Sequence, residues 1–75
     1  MNAKRRKVLQ IAKSHITTAR ELISDVIDDE QDALDNTPES LQESIEFWER
    51  EDDLENLRDA LDDLVSVEDA ISEFL

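Results

Sequence analysis

Residues 35–39 read Asp35-Asn36-Thr37-Pro38-Glu39, and they interrupt a helical pattern that otherwise runs through this chain of 75 residues. Pro38 is the only proline, and the chain has no glycine. A proline cannot continue an incoming helix, because it lacks an N–H and its ring clashes with the preceding turn. It does suit the first position of a new helix, where that N–H would have no partner. The chain is therefore expected to turn at this point.

These signals predict one domain over residues 1–75, with a helix at about 4–34, a turn at 35–38 and a second helix at about 38–74. Thr37 is the expected N-cap of the second helix, and Ser40 with Glu43 offers a second capping box in the same frame. A connection this short makes the two helices antiparallel neighbours.

The first helix carries an apolar seam with alternating spacings of three and four residues, as in a coiled coil. Further apolar residues widen this seam into a face that suits a helix bundle. The seam consists of Leu9, Ala12, Ile16, Ala19, Ile23, Val26, Glu30 and Ala33, and the flanking residues are Leu22, Ile27 and Leu34.

The second helix has an apolar stripe in two parts, separated by five charged residues at 49–53. The stripe must change phase there, or the helix must bend, and Ser66 begins another capping pattern. We predict one long helix despite both features. Its apolar positions are Leu41, Ile45 and Trp48, followed by Leu54, Leu57, Leu61, Leu64, Ile71 and Leu75.

The predicted fold class is therefore all-α, an antiparallel two-helix hairpin. Its core is a single layer of side chains, which is marginal for a chain of this size. Each helix also has more apolar surface than one neighbour covers. We therefore expect a homodimer in which two hairpins form a four-helix bundle, and the pattern leaves a tetramer and the docking orientation open.

Charge is distributed very unevenly along the chain. The first twenty residues hold six bases and no acid, residues 21–58 hold fifteen acids and two arginines, and the last seventeen residues hold six acids. An antiparallel hairpin is expected to place the basic start beside the acidic end, where the two neutralise each other. The turn would then remain strongly negative, which repels nucleic acid and membrane phosphate and attracts basic protein surfaces.

Several classes of site are disfavoured by composition. There is no cysteine, and no apolar run approaches the roughly 20 residues that span a bilayer, so a cytoplasmic protein is expected. The acidic runs at 28–32 and 51–53 lack the glycine of an EF-hand loop and are interpreted as solvated helix faces. His15 is interpreted as a residue at the edge of the seam. We predict no catalytic residue, no metal site and no cofactor.

Two weaker patterns point elsewhere. Glu46-x-x-Glu49 followed by Asp59-x-x-Asp62 is similar to the magnesium-binding pattern of all-α nucleotide pyrophosphatases, but the second pair differs in residue type. Basic residues 4–7 are of a kind that contacts DNA, or that begins a mitochondrial presequence. On a chain with a net charge of −13, we expect neither direct nucleic-acid binding nor membrane binding.

The sequence around the turn, EQDALDNTPESLQES at residues 30–44, resembles a segment of small acidic helical proteins from Gram-positive phages and mobile elements. That segment reads roughly EQ-x-A-x-DN-x-PE-(S/N)-LQ-x-S and is followed by a second acidic helix. The resemblance implies a helical hairpin and a phage or prophage setting in a bacterial host cell. It supplies no catalytic residue and no established activity.

The expected function is a non-enzymatic protein-interaction module that binds a basic protein surface, as a mimic of nucleic acid. The expected acidic contacts are Asp25, Asp28, Asp29, Asp32, Glu43, Glu46, Asp52 and Asp53. Phe47 and Trp48 are expected either to pack in the core or dimer or to anchor a partner. The alternative is a self-associating scaffold or assembly protein whose acidity serves solubility.

Overall fold

The protein forms an α-helical hairpin in a computed structural model that describes residues 1–75. Helix α1 spans Ala3–Asp35, a short 3-10 helix spans Glu39–Leu41, and helix α2 spans Ile45–Ser72. The two long helices pack against each other, and the molecule is 59 Å long. This confirms the predicted all-α hairpin.

Helix α1 begins and ends within one residue of the predicted bounds. The side chain of Asn2 accepts a hydrogen bond from the backbone N–H of Arg5 at 2.9 Å, which satisfies one of the free donors at the helix start. At the other end, the Thr37 hydroxyl donates to the carbonyl of Ala33. Thr37 therefore closes α1 and does not cap the second helix as predicted.

The second long helix begins at Ile45, so the predicted start at residue 38 is wrong. Pro38 has an extended backbone, with ψ at 139°, and its carbonyl accepts from the N–H of Leu41 to start the 3-10 turn. Ser44 returns the chain to an extended conformation, and its Oγ accepts from the N–H of Phe47 at 3.1 Å. Ser44 is thus the N-cap of α2.

The predicted capping box of Ser40 and Glu43 is also absent, because both residues lie in the 3-10 helix and the turn that follows it. Beyond Ser44, α2 continues without a break through the charged run at 49–53. It also continues through Ser66, whose hydroxyl donates back to the carbonyl of Asp62. The charged run changes which residues face α1 without ending the helix.

The core lies near the turn and contains Ile27, Leu34 and Leu54, with partly buried neighbours from both helices around them. Those neighbours are Ile23, Phe47, Leu57 and Leu61. The predicted seam residues Val26 and Ala33 are exposed, and Ile27 and Leu34 take their places. The predicted seam follows 3.5 residues per turn, whereas an ideal helix has 3.6, so the seam drifts by about 70°, most of one position, over this length.

Two of the three polar side-chain contacts between the helices define their register. Arg20 forms an ion pair with Glu68, and Arg58 donates to the side chain of Gln31 at 2.7 Å. Continuing this register brings the end of the chain level with Lys13, and a shallow depression there is bounded by both Lys13 and Leu75. Residues 1–12 therefore extend beyond α2.

This register corrects the predicted charge pairing. Arg20 is the only base of the first twenty residues that forms an ion pair with the acidic end of the chain. Lys4, Arg5, Arg6 and Lys7 are exposed on the part of α1 that has no neighbouring helix. The prediction assumed helices of similar length that meet at a tight turn. The connection at 36–44 instead shortens α2 to 28 residues against the 33 of α1.

Candidate protein-interaction surfaces

The turn end, defined here as residues 21–58, carries most of the negative charge of the molecule. All eight carboxylates predicted as partner contacts are exposed, and none of them forms an ion pair. They are Asp25, Asp28, Asp29, Asp32, Glu43, Glu46, Asp52 and Asp53. The structure therefore leaves their charge available to solvent or to a partner.

The two arginines of the turn end each connect α2 to α1. Arg50 Nε donates to Glu30 Oε1 at 2.8 Å, joining α2 to α1. The hydrogen bond to Glu30 raises the pKa of Arg50, and the charges of Glu30 and Glu46 raise it further. Arg58 is engaged by the neutral amide of Gln31. Glu30 is thus the only carboxylate of the turn end that an ion pair neutralises.

The eight carboxylates do not form a single row. Asp25, Asp28, Asp29 and Asp32 follow helical spacing along one strip of α1, on the side opposite the core residues Ile27 and Leu34. Asp52 lies on the outer side of α2, about half a turn from Leu54. The other three are distributed over the turn and the flanks of α2. Only the four aspartates of α1, named here the α1 acidic strip, make one continuous line of charge.

The two aromatic residues beside the turn have different environments. Phe47 is partly buried and packs against the core. Trp48 is 55% exposed, and Ile45 is 72% exposed one turn before it. Ile45, Trp48 and Asp52 follow helical spacing on the outer side of α2. The pattern of the second helix had placed Ile45 and Trp48 in the core, and the phase change at the charged run places them outside.

A further apolar surface lies on one side of the hairpin. The contact between Gln31 and Arg58 marks the opposite side. Leu22 precedes Gln31 by nine residues, about two and a half helical turns, and Val67 follows Arg58 by the same distance. Both side chains therefore point away from the side of that contact, and the pairing of Arg20 with Glu68 sets them at the same height.

This surface, named here the open face, includes further apolar residues besides Leu22 and Val67. It consists of Val8, Ile11, Leu22, Val26 and Val67, all of them exposed. Leu22 alone is 62% exposed. The sequence signal for it was the excess of apolar residues in each helix. Sequence reasoning did not place it on one side of the hairpin, because that requires the register.

The projecting start of α1, residues 1–12, is named here the basic arm. Its length is about 15 Å at 1.5 Å per residue from Ala3 to Ala12. Lys4, Arg5, Arg6 and Lys7 lie on it together with Val8 and Ile11 of the open face. The arm is therefore basic and apolar, and nothing within the same chain covers it.

The structure assembles no metal centre and provides no membrane span. It brings together no group of three or more His, Asp or Glu side chains that could hold a metal ion. Neither long helix combines the length and apolar character needed to cross a bilayer. His15 is exposed.

Comparison with known proteins gives no relative: no family model, curated protein or solved structure matches this chain.

Proposed function

We propose that this protein is a non-enzymatic interaction module whose turn end binds a basic surface of another protein in a bacterial cytoplasm. The observation that carries the proposal is an exposed Trp48, one helical turn before the unpaired Asp52, on a turn end where Glu30 is the only carboxylate in an ion pair. Tryptophan at the centre of an interface contributes more to affinity than most residue types. The unpaired carboxylates of the turn end then select for partners that are basic.

The charge and the apolar anchor have separate roles in this proposal. Residues 21–58 carry a net charge of −13, which attracts a basic partner over about a Debye length and speeds encounter. Exposed charges of this kind change association rate and salt dependence more than they change the final affinity. Burial of Trp48 and Ile45 then supplies the contact that resists dissociation.

The α1 acidic strip supports a more specific proposal, that the protein occupies a groove that normally binds nucleic acid. From Asp25 to Asp32 the strip rises about 10 Å on a rigid helix. Nucleic-acid-binding proteins place lysine and arginine along the phosphate backbone, so a stiff line of carboxylates offers them similar contacts. The resemblance to phage proteins fits a target in the host, such as a nuclease or repressor.

A capture experiment with charge-matched variants tests this function. The immobilised protein is compared with D25N/D28N/D29N/D32N, which removes the α1 acidic strip. The control, D59N/D62N/D63N/D69N, removes the same number of charges from the other end of α2. Lysate of a Gram-positive host is applied at low salt, and bound proteins are eluted with salt and identified.

The expected result is a set of basic proteins held by the wild type and the control and lost from the strip variant. Double-stranded DNA added in excess should release them, because it competes for the same groove. Trp48→Ala should weaken capture more than Val65→Ala, an exposed aliphatic control on the same helix. Equal capture by the strip variant and the control would contradict the proposal.

A second candidate function, a self-associating scaffold, is favoured by a different observation. The open face is an exposed apolar surface on one side of the hairpin, and such surfaces mark protein contacts. In this function the protein forms a homodimer and its acidity keeps the assembly soluble. Binding through this face would depend weakly on salt, whereas binding through the turn end would depend on it strongly.

A further inference from the structure

We infer that a second copy of this chain covers the open face in a turn-to-tail orientation, so that the basic arm of each copy lies along the turn end of the other. This inference rests on the proposed self-association and adds to it the orientation and the role of the arm. Each arm thereby forms an electrostatic contact between the two copies.

The open face requires a partner of its own size. It runs from Val8 to Val26 on α1, about 27 Å at 1.5 Å per residue, and includes Val67 of α2 at the same level as its middle part. A second hairpin offers an identical apolar face of identical length. A twofold axis makes such a contact self-complementary, which is the most common arrangement in soluble oligomers.

Electrostatic interactions distinguish the turn-to-turn from the turn-to-tail arrangement of two hairpins packed face to face. A turn-to-turn dimer would place two regions of net charge −13 side by side, and two basic arms side by side at the other end. Both ends would repel. A turn-to-tail dimer places each basic arm beside an acidic turn end, so both ends attract. Like-charge juxtaposition disfavours the first arrangement and charge complementarity favours the second.

The dimensions of α1 agree with the turn-to-tail arrangement. Full overlap of two antiparallel copies of Ala3–Asp35 puts the twofold axis at the level of Ala19, midway along the helix. Lys4 of one copy is then level with residue 34 of the other, and Val8 with residue 30. The four bases of the arm therefore reach the level of Asp29, Asp32 and Asp35, which form no ion pair in their own hairpin.

Single-cysteine crosslinking distinguishes the orientations, because the natural chain has no cysteine. We would place one cysteine on each variant, as Val8→Cys or Ala33→Cys, both on the side of the open face. A short bis-maleimide crosslinker is added to each variant alone and to their mixture. In a turn-to-tail dimer, the two Val8 positions are about 33 Å apart along the axis, whereas Val8 of one copy lies within one helical turn of Ala33 of the other.

The expected result is a crosslinked dimer in the mixture and little from either variant alone. Efficient crosslinking of Val8→Cys to itself would overturn the orientation. A second measurement uses light scattering on K4E/R5E/R6E/K7E at low salt, where the dimer dissociation constant should rise about tenfold or more. The difference from wild type should shrink in 1 M salt. An unchanged dissociation constant would overturn the role of the arm.

Two further controls separate this inference from the proposed function. Leu22→Asp should give a folded monomer by circular dichroism and light scattering, because Leu22 is exposed within one hairpin. A wild type that is monomeric at every concentration, or whose arm binds phosphatidylserine vesicles in place of a second copy, would overturn the inference. Retention of the basic partner by the Leu22→Asp monomer would show that binding at the turn end does not depend on the dimer.

Discussion

Leu54→Ala tests whether the small core near the turn holds the hairpin together. Leu54 is 3% exposed, the lowest value in the chain, and it packs with Ile27 and Leu34 of α1. The substitution removes three carbons from this site, and each buried methylene contributes about 0.8 kcal/mol. The transfer loss is therefore about 2.4 kcal/mol, and incomplete collapse of the cavity brings the total to about 2.5–4 kcal/mol.

This loss is large relative to the stability of the molecule. Natural domains have free energies of unfolding of about 5–15 kcal/mol, and a single-layer core of three buried residues belongs at the low end of that range. In a domain of this size, each kcal/mol lowers Tm by about 4–8 °C. Leu54→Ala should therefore lower Tm by at least 10 °C, and a stability near 5 kcal/mol would leave a substantial unfolded fraction.

The measurement is thermal and urea unfolding followed by circular dichroism at 222 nm. Protein concentration is held constant, because a dimer makes Tm depend on it. Leu41→Ala is the control: it is the same substitution at an exposed residue of the 3-10 helix and should cost about 0.5 kcal/mol or less. Equal losses for the two variants would refute the assignment of the core to the contact of Leu54 with α1.

Two further predictions concern the connection between the helices. Ser44→Ala should lower the free energy of unfolding, measured in urea, by about 1 kcal/mol, because it removes the N-cap of α2. Ser40→Ala should leave the free energy of unfolding nearly unchanged, and the reverse order would contradict the observed helix start. Pro38→Ala should lower the free energy of unfolding by up to about 1 kcal/mol, because the unfolded chain gains conformational entropy. The hairpin should remain, because Ala tolerates the backbone conformation of Pro38. Small-angle scattering on Pro38→Ala combined with Leu22→Asp, which keeps the hairpin monomeric, should give a maximum dimension near 59 Å, and a value near the roughly 110 Å of one continuous helix would show that the proline alone makes the turn.

The elements of the fold were predictable because their signals are local. Apolar spacing and composition identify two helices, and Pro38 identifies the interruption between them. The start of α2 was missed because several residues compete to cap it. Thr37, Ser40 and Ser44 are all acceptable N-cap types, and the choice among them depends on how the chain must travel to bring α2 against α1.

The candidate surfaces were less predictable, because they depend on register. A shift of one position moves a residue by 100° around a helix, which is enough to exchange Val26 for Ile27 in the core and to put Trp48 outside. The exposure of the acidic residues could be predicted without the register, since carboxylates are seldom buried without a partner. The register was needed to predict how these acids are distributed over several sides of the hairpin, and that the basic arm extends beyond α2.

The two proposed contacts of this molecule share the turn end, and this has a thermodynamic consequence. Asp29, Asp32 and Asp35 would lie level with the arm of a second copy, whereas Trp48 and Asp52 lie on the outer side of α2. A basic partner that binds only the outer side can bind the dimer, and its affinity will be independent of protein concentration. A partner that also needs the carboxylates near Asp29 must displace an arm, so its binding and dimer formation oppose each other by mass action. The concentration dependence of partner binding therefore reports which side of the turn end the partner uses.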